Sequence, residues 1–503
     1  MKIYRYKILG LVLAGMFAVS SCNNDDLLEL NINPNAANEI DPTYILANAQ
    51  LQVSGTRYES WRGMLIYSAT MMQHMAALPG YWSGDKYLYN PQYSGALYER
   101  AYPGFVKSLA AILEQTKDQP ELANVNAVAN IMWVFGMSRL TDMYGDIPYF
   151  EAGRGFYDNV YFPKFDPQSE IYPDMLQRLE TAAANLNPSL EGSFGTTGAQ
   201  DLVFGGDIDK WEKFANSLML RLAMRLTEVD ESLAQQYVQK AISGGLMESN
   251  DDIAYVEHTD GPGGINRNGI GEVFVADNNQ RLSKTFIDFM ENTNDPRLEI
   301  IATPNEDGVV VGLPNGYDAT TIKEYEGTED AVTADMYSTT NPLMVSFSSP
   351  MFFQTYAEVQ FLLAEAALRG WTNSDPTALY ENGVRSAMEF LSIYDVSMTI
   401  ESDAIDAYLA ENPFVVAEGF EMIGEQYWMV TFLNEYESWA NWRRTGYPLL
   451  TPVDYPGNIS DGQIPRRLRY FENEYGNNGE ELQAALSRMG PDEFTTRMWW
   501  DVE

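Results

Sequence analysis

The sequence predicts a mostly α-helical protein with long irregular loops and a few short strands. Apolar residues recur at spacings of three and four wherever any period is visible. Six stretches (78–104, 145–168, 188–208, 257–282, 303–350 and 449–480) are rich in Gly, Pro, Asn, Asp and Tyr and show no period. Loops longer than roughly 12–15 residues are uncommon unless functional or disordered. These carry aromatic and apolar residues, so they read as ordered surface structure. No repeat, low-complexity segment or clear linker divides the chain, and residues 31–503 read as one domain.

The helices follow in order. In residues 121–144, Leu122, Val125, Ala129, Met132 and Gly136 share a face, and Gly145 is the stop. Ser169 is the expected N-cap of a helix striped by Ile171, Met175, Leu179, Ala182 and Leu186, with Pro173 near its first turn. Asp209 and Glu212 resemble a capping box opening a helix striped by Trp211, Phe214, Leu218, Leu222 and Leu226, with Arg221 and Arg225 on another face. A helical hairpin is expected over 352–391, its first helix ended by Gly370 and its second opened by Asp375 and Pro376. A last helix spans 425–444, with Arg443 and Arg444 in its final turn, where cations complement the helix dipole. Val309, Val310 and Val311, and residues 343–347, could add short strands.

The N-terminus reads as an export signal. Lys2, Arg5 and Lys7 precede an uncharged, mostly apolar run at 8–19, too short for the roughly 20 residues a spanning helix needs. Val19, Ser20 and Ser21 then lead into Cys22, the only cysteine, in a pattern that resembles a bacterial lipobox. Residues 1–21 are thus the expected signal peptide, Cys22 the lipidated first residue of the mature chain, and 22–30 an acidic tether. Asn23, Asn24, Asp25 and Asp26 resemble the tag that sends lipoproteins to the cell surface in Bacteroidetes-type bacteria. Removing 1–21 takes the formal charge from −39 to −42.

Composition excludes several chemistries. Seventy-one acidic residues against 32 basic ones repel nucleic-acid backbones. One cysteine supports neither a disulfide framework nor a multi-cysteine metal site. Only His74 and His258 could serve a Ser-His-Asp triad. His74 sits in a helix among Met71, Met72 and Met75 and reads as packed; His258 precedes a glycine-rich loop. No nucleophile elbow, P-loop or zincin motif occurs. Asp251 with Asp252, or Asp277 with Asn278 and Asn279, could hold calcium, but neither spacing matches an EF-hand loop. No cofactor is expected.

Seven segments together resemble the SusD/RagB family of nutrient-binding surface lipoproteins, closest to its second SusD-like subfamily. They are LTDMYGDIPYFEA (140–152), FDPQSEIYPDMLQRLETA (165–182), DKWEKFANSLMLRLAMR (209–225), NDPRL (294–298), FLLAEAALRGW (361–371), EYESWANWRRTGYP (435–448) and IPRRLRYFENE (464–474). The resemblance covers almost the whole chain. It implies a scaffold of four TPR-like helix pairs with a loop-built ligand face. It also implies an outer-membrane location, lipid-anchored and facing the cell exterior. The implied partner is a TonB-dependent, SusC-like transporter on which the protein sits as a lid.

Sugar recognition needs flat apolar rings and planar polar groups for hydroxyls. Residues 78–104 supply Tyr81, Trp82, Tyr87, Tyr89, Tyr93, Tyr98 and Tyr102, interleaved with Asp85, Lys86, Asn90 and Gln92. Residues 258–281 supply Asn266, Arg267, Asn268, Asn278 and Asn279. The expected contacts are Tyr81, Trp82, Asp85, Tyr87, Tyr89, Asn90, Tyr93, Asn266, Arg267 and Asn278. Taken singly, each tyrosine could equally fasten its loop to the scaffold. The function expected is binding of an oligosaccharide, or of a peptide, without catalysis. A surface glycosidase using a carboxylate pair, and a structural or adhesive surface protein, are the other readings.

Overall fold

Periodic apolar faces become helices that pack on their sequence neighbours. In this computed structural model, residues 40–190, 192–195 and 198–502 are described. The expected signal peptide, Cys22 and the acidic tether lie outside them. Helices of eight residues or more are α1 Pro42–Ser54, α2 Lys107–Thr116, α3 Ala123–Tyr144, α4 Gln168–Asn185, α5 Ile208–Met224, α6 Glu231–Gly244 and α7 Gly269–Ala276. They continue with α8 Lys284–Asn292, α9 Tyr356–Leu368, α10 Pro376–Glu389, α11 Ser402–Glu411, α12 Gly419–Val430, α13 Glu435–Thr445 and α14 Gly479–Met489. A wide π-type run, Ser60–Ala69, follows α1. Helices α1 to α6 pack each on the next, α9 packs on α10 and α12, and α12 packs on α13. This is the mostly α, TPR-like scaffold, and Pro42–Glu503 is one compact unit. Among the described residues no helix is long and apolar enough to cross a membrane.

The expected faces are buried: Val125, Ala129 and Met132 of α3, Ile171, Met175 and Leu179 of α4, Trp211, Phe214, Leu218 and Leu222 of α5. Several boundaries move. Helix α4 starts after Pro167, so Ser169 lies inside it and Pro173 beyond the first turn. The cap of α5 is Asp207, whose carboxylate accepts from the Lys210 amide at 3.1 Å, rather than Asp209. Phe352 belongs to a strand: Met351, Phe352 and Phe353 form a buried apolar run, and Thr355 with Glu358 makes the capping box that opens α9. The expected helix over 425–444 is two helices. At the break Leu433 takes a left-handed φ of 69°, and buried Glu435 accepts from the Leu433 amide at 2.9 Å and pairs with His74 Nδ1 at 2.7 Å. His74 is therefore a packed residue, stacked on Trp428. Neither 309–311 nor 343–347 forms a strand.

Among the described residues six short strands pair as three antiparallel ribbons. The first joins the two candidate segments. β1 (Met75–Ala77) pairs with β3 (Gln280–Leu282), Met75 opposite Leu282 and Ala77 opposite Gln280. All six residues are buried, which stabilises a ribbon too short to stand alone in water. β2 (Ala254–Val256) pairs with β6 (Met351–Gln354), and β4 (Ala302–Thr303) with β5 (Thr339–Thr340). A small separate apolar cluster of Ala76, Leu78, Leu313, Ile322, Val332 and Tyr337 fastens the 311–337 segment beside β1.

Buried ion pairs lock the scaffold. Arg221 Nη2 donates to Glu358 at 2.6 Å and Arg225 Nη2 to both Glu437 oxygens at 2.7 and 2.8 Å, while Tyr427 Oη bridges Glu358 and Glu437. These groups tie α5, α9, α12 and α13 together. Burial raises both carboxyls; at Glu437 the Arg225 and Arg221 charges outweigh it and the group falls below its usual range, while at Glu358 burial prevails.

Glu425 of α12 is different: burial, then Glu421 and Glu418, push its carboxyl up to about 7 from 4.5. The folded state thus holds this proton more tightly than the unfolded chain, so stability falls as pH rises from 4.5 to about 7. Glu425→Gln is expected to raise unfolding stability at pH 8 by about 1 kcal/mol, after allowing for solvent screening of a partly exposed group, and to leave it unchanged at about pH 4. Thermal melts of the two proteins at both pH values check this.

Candidate functional site

The β1–β3 ribbon brings the two candidate segments to one place. Its antiparallel register sets Ala77 beside Gln280, so the chain leaving β1 and the chain entering β3 emerge at the same end. There Asp277 gathers the groups. Its Oδ2 accepts from Tyr81 Oη at 2.9 Å and Trp82 Nε1 at 3.1 Å; its Oδ1 accepts from Asn279 Nδ2 at 2.5 Å and the Asn279 amide at 3.2 Å. Asn279 Nδ2 also donates to Tyr81 Oη at 2.9 Å. Tyr81 is 41% exposed while its hydroxyl is held at both sides. Burial, then the hydrogen bond to Asp277, push its phenol up to about 12, so it stays a neutral donor at neutral pH. Asn278, between the two residues that hold Tyr81, is exposed. The site offers a fixed aromatic face with amide groups at its edge.

Three expected contacts turn inward. Trp82 has no exposed surface, so its ring can stack on no ligand in this conformation; it packs beneath Tyr81 as a donor to Asp277. Asp85 is buried because it anchors the loop: it accepts from Asn315 Nδ2 at 2.6 Å, the Gly316 amide at 3.3 Å and Lys86 Nζ at 3.2 Å. Lys86, also buried, donates to the Ala77 carbonyl at 2.7 Å. Tyr87 is buried in a left-handed conformation, and its Oη accepts from the Val453 amide at 3.2 Å. Gly84 explains the depth of this turn: a Cβ there would lie 2.0 Å from the Ile66 carbonyl oxygen, so only glycine permits the approach.

The remaining expected contacts lie apart from Asp277 in their bonding. Tyr89 is half-buried under the Arg469 guanidinium, 4.1 Å from its ring. Asn90 caps the turn Pro91–Ser94 through the Tyr93 amide at 3.2 Å, and Tyr93 lies 5.6 Å from the Arg62 guanidinium. Tyr98 is core, against Tyr144 and Tyr470. Asn266 closes its own loop through Thr259 and His258, and Arg267 pairs with Asp260 at 2.7 Å and covers Phe347. Asn268 caps α7, accepting from the Ile270 amide at 2.8 Å. His258 is buried, and that burial lowers its pKa. Asp277 itself was not among the expected contacts; the signal available was an acid closing an apolar helix and followed by two asparagines.

Neither expected calcium position offers an open carboxylate set. Asp277 spends its oxygens on four donors, and Asp252 Oδ2 accepts from Lys213 Nζ at 3.0 Å and the Glu248 amide at 2.9 Å. Among the described residues no group of three or more His, Cys, Asp or Glu is placed to hold a metal ion. A second ring-rich surface exposes Phe150, Phe156, Tyr161 and Phe162, but the charged groups there pair with one another, as Arg154 does with Asp158 and Glu114.

Comparison with known proteins agrees with this architecture. Residues 34–471 match the second SusD-like family, described as starch-binding and associating with the outer membrane. The chain belongs to this SusD-like family. A solved structure titled a chitin-binding protein is 33% identical, with a TM-score of 0.83, covering 92% of this chain and all of its own. A SusD-like protein from Bacteroidetes is 27% identical at TM-score 0.81, with 92% and 100% coverage. A SusD homologue from Bacteroides uniformis is 26% identical at TM-score 0.76, with the same coverage. No curated protein matches the chain in sequence.

Proposed function

We propose that the protein binds a glycan at the Tyr81 face, without catalysis, and delivers it to a TonB-dependent, SusC-like outer-membrane transporter. The observation that carries the binding is the Tyr81 ring, exposed yet fixed by Asp277 and Asn279. A ring held in place loses little freedom when a sugar stacks on it. Asn278, exposed between Asp277 and Asn279, is placed to meet hydroxyl or acetamido groups. The chitin-binding relative at 33% identity makes chitin oligosaccharides the first ligand to try. A panel of chitin, starch and peptide fragments tests the reading by calorimetry. Binding of a glycan with no product released by the pure protein supports it; turnover supports the hydrolase reading, and binding of peptides alone moves the ligand class.

The lipobox-like Cys22 supports an anchored location in this reading, since two or more acyl chains hold a protein stably on a membrane. Cys22→Ala is expected to move the protein from the membrane fraction to the soluble fraction. Retention in the membrane would refute the anchor.

A further inference from the structure

A cavity of about 540 Å³ opens among the C-terminal ends of α9 and α13, the helix α12 and the segments that carry Arg466 and Arg497. Its volume suits a small organic ligand. Its charge is unlike the rest of the chain. Of 32 basic residues facing 71 acidic ones, five arginines, Arg369, Arg443, Arg444, Arg466 and Arg497, line this one space.

Three carboxylates answer them. Glu365 pairs with Arg444 at 2.6 Å and Arg369 at 3.0 Å, Glu228 with Arg369 at 2.7 Å, and Asp501 with Arg466 at 3.0 Å and Arg497 at 2.8 Å. Among the described residues Arg443 pairs with no carboxylate; its Nε donates to the Trp439 carbonyl at 3.2 Å and its Nη1 to the Arg466 carbonyl at 2.8 Å. Its side chain is 2% exposed, it lies 4.3 Å from the Trp439 ring and 5.0 Å from Trp500, and its Nη2 has no hydrogen-bond partner. A buried donor left unmade is costly, and burial lowers this guanidinium's pKa to about 9. The two helix C-termini add only about half a negative charge each, so the cavity stays cationic. Phe420, Ile423 and Tyr447 give it one apolar side, with Arg369 5.4 Å from the Phe420 ring.

We infer that this cavity binds a small organic molecule bearing an oxyanion, a carboxylate or a phosphate, held by the partly exposed guanidinium forks of Arg369, Arg466 and Arg497. Planar guanidiniums pair bidentately with both groups, and the apolar side would take the carbon frame. The site is separate from the Tyr81 face and does not depend on the function proposed for it.

Calorimetry of the mature protein at low salt with glucuronate, glucose 6-phosphate and glucose tests this. Binding of either charged sugar, weakened by salt, with glucose silent, is the expected result; which of the two binds identifies the oxyanion. Arg369→Gln and Arg497→Gln, both at partly exposed positions, are each expected to lower that affinity about fivefold or more, while Tyr81→Ala leaves it unchanged. Binding of neither charged sugar, or equal affinity in both arginine variants, overturns the inference. Crystals of the unaltered protein soaked in selenate give an independent reading that needs no variant. An anomalous peak in the cavity beside Arg369, Arg466 or Arg497 supports the site, and a clean map there overturns it.

Discussion

Glu437→Ala is expected to lower the unfolding free energy by about 3–5 kcal/mol, the largest effect of a single substitution foreseen in this protein. Glu437 accepts two bonds from Arg225 and one from Tyr427, and lies 3.9 Å from Arg221 Nε. All of these groups are buried. Removing the carboxylate takes both acceptor oxygens from Arg225 Nη2, leaves the Tyr427 hydroxyl only Glu358, and leaves two guanidiniums facing only Glu358 and, at 3.7 Å from Arg225, Asp142. An uncompensated buried charge is the mechanism that produces losses of this size. Urea unfolding followed by tryptophan fluorescence measures it. Glu114→Ala, which removes a surface partner of Lys117 and Arg154, is the control and should leave the midpoint where it was. A loss below about 1 kcal/mol for Glu437→Ala would show that the helix pairs do not depend on the network.

Asp277→Ala is expected to lower glycan affinity by about tenfold or more, equivalent to about 1.4 kcal/mol. The carboxylate holds Tyr81, Trp82 and Asn279 at once. Without it the Tyr81 ring keeps only its contact with Asn279, and the buried Trp82 indole loses its acceptor, at a cost of about 1–3 kcal/mol in stability. Asp277→Asn keeps one acceptor oxygen and should fall between the two. Calorimetric titration with the glycan that binds the unaltered protein reads the affinity, and melting of the free protein reads the stability. An unaltered affinity in Asp277→Ala would place the ligand elsewhere.

Much of the scaffold could be read from local pattern, because a buried helix face repeats within its own sequence. The Asp375-Pro376 start of α10 and the stripe of α5 needed nothing distant. The break between α12 and α13 could not be read so. The apolar spacing runs through it, and what ends α12 is a turn stabilised by Glu435 reaching His74, 361 residues away in sequence. The site was half legible for the same reason. Two loops rich in rings and amides could be marked, but their meeting rests on β1 and β3, Met-Ala-Ala against Gln-Arg-Leu, with no alternation or β-branched residue to announce a strand. Nor does a tyrosine-rich loop say which ring faces out. Trp82 and Tyr87 turn inward because Gly84 lets the backbone press against Ile66 and because Asp85 is drawn in to Asn315 and Gly316. Both causes lie far along the chain or in a single missing Cβ.

In the function proposed above, a fixed, exposed aromatic face at Tyr81 receives the glycan. Titration of a chitin tetrasaccharide into the unaltered protein and into Tyr81→Ala by calorimetry tests it most directly. Saturable binding without product is expected, with an affinity loss of about fivefold or more in Tyr81→Ala, near 1 kcal/mol for an anchor ring. Equal affinity for the two proteins, each folded and with the same melting temperature, would contradict it.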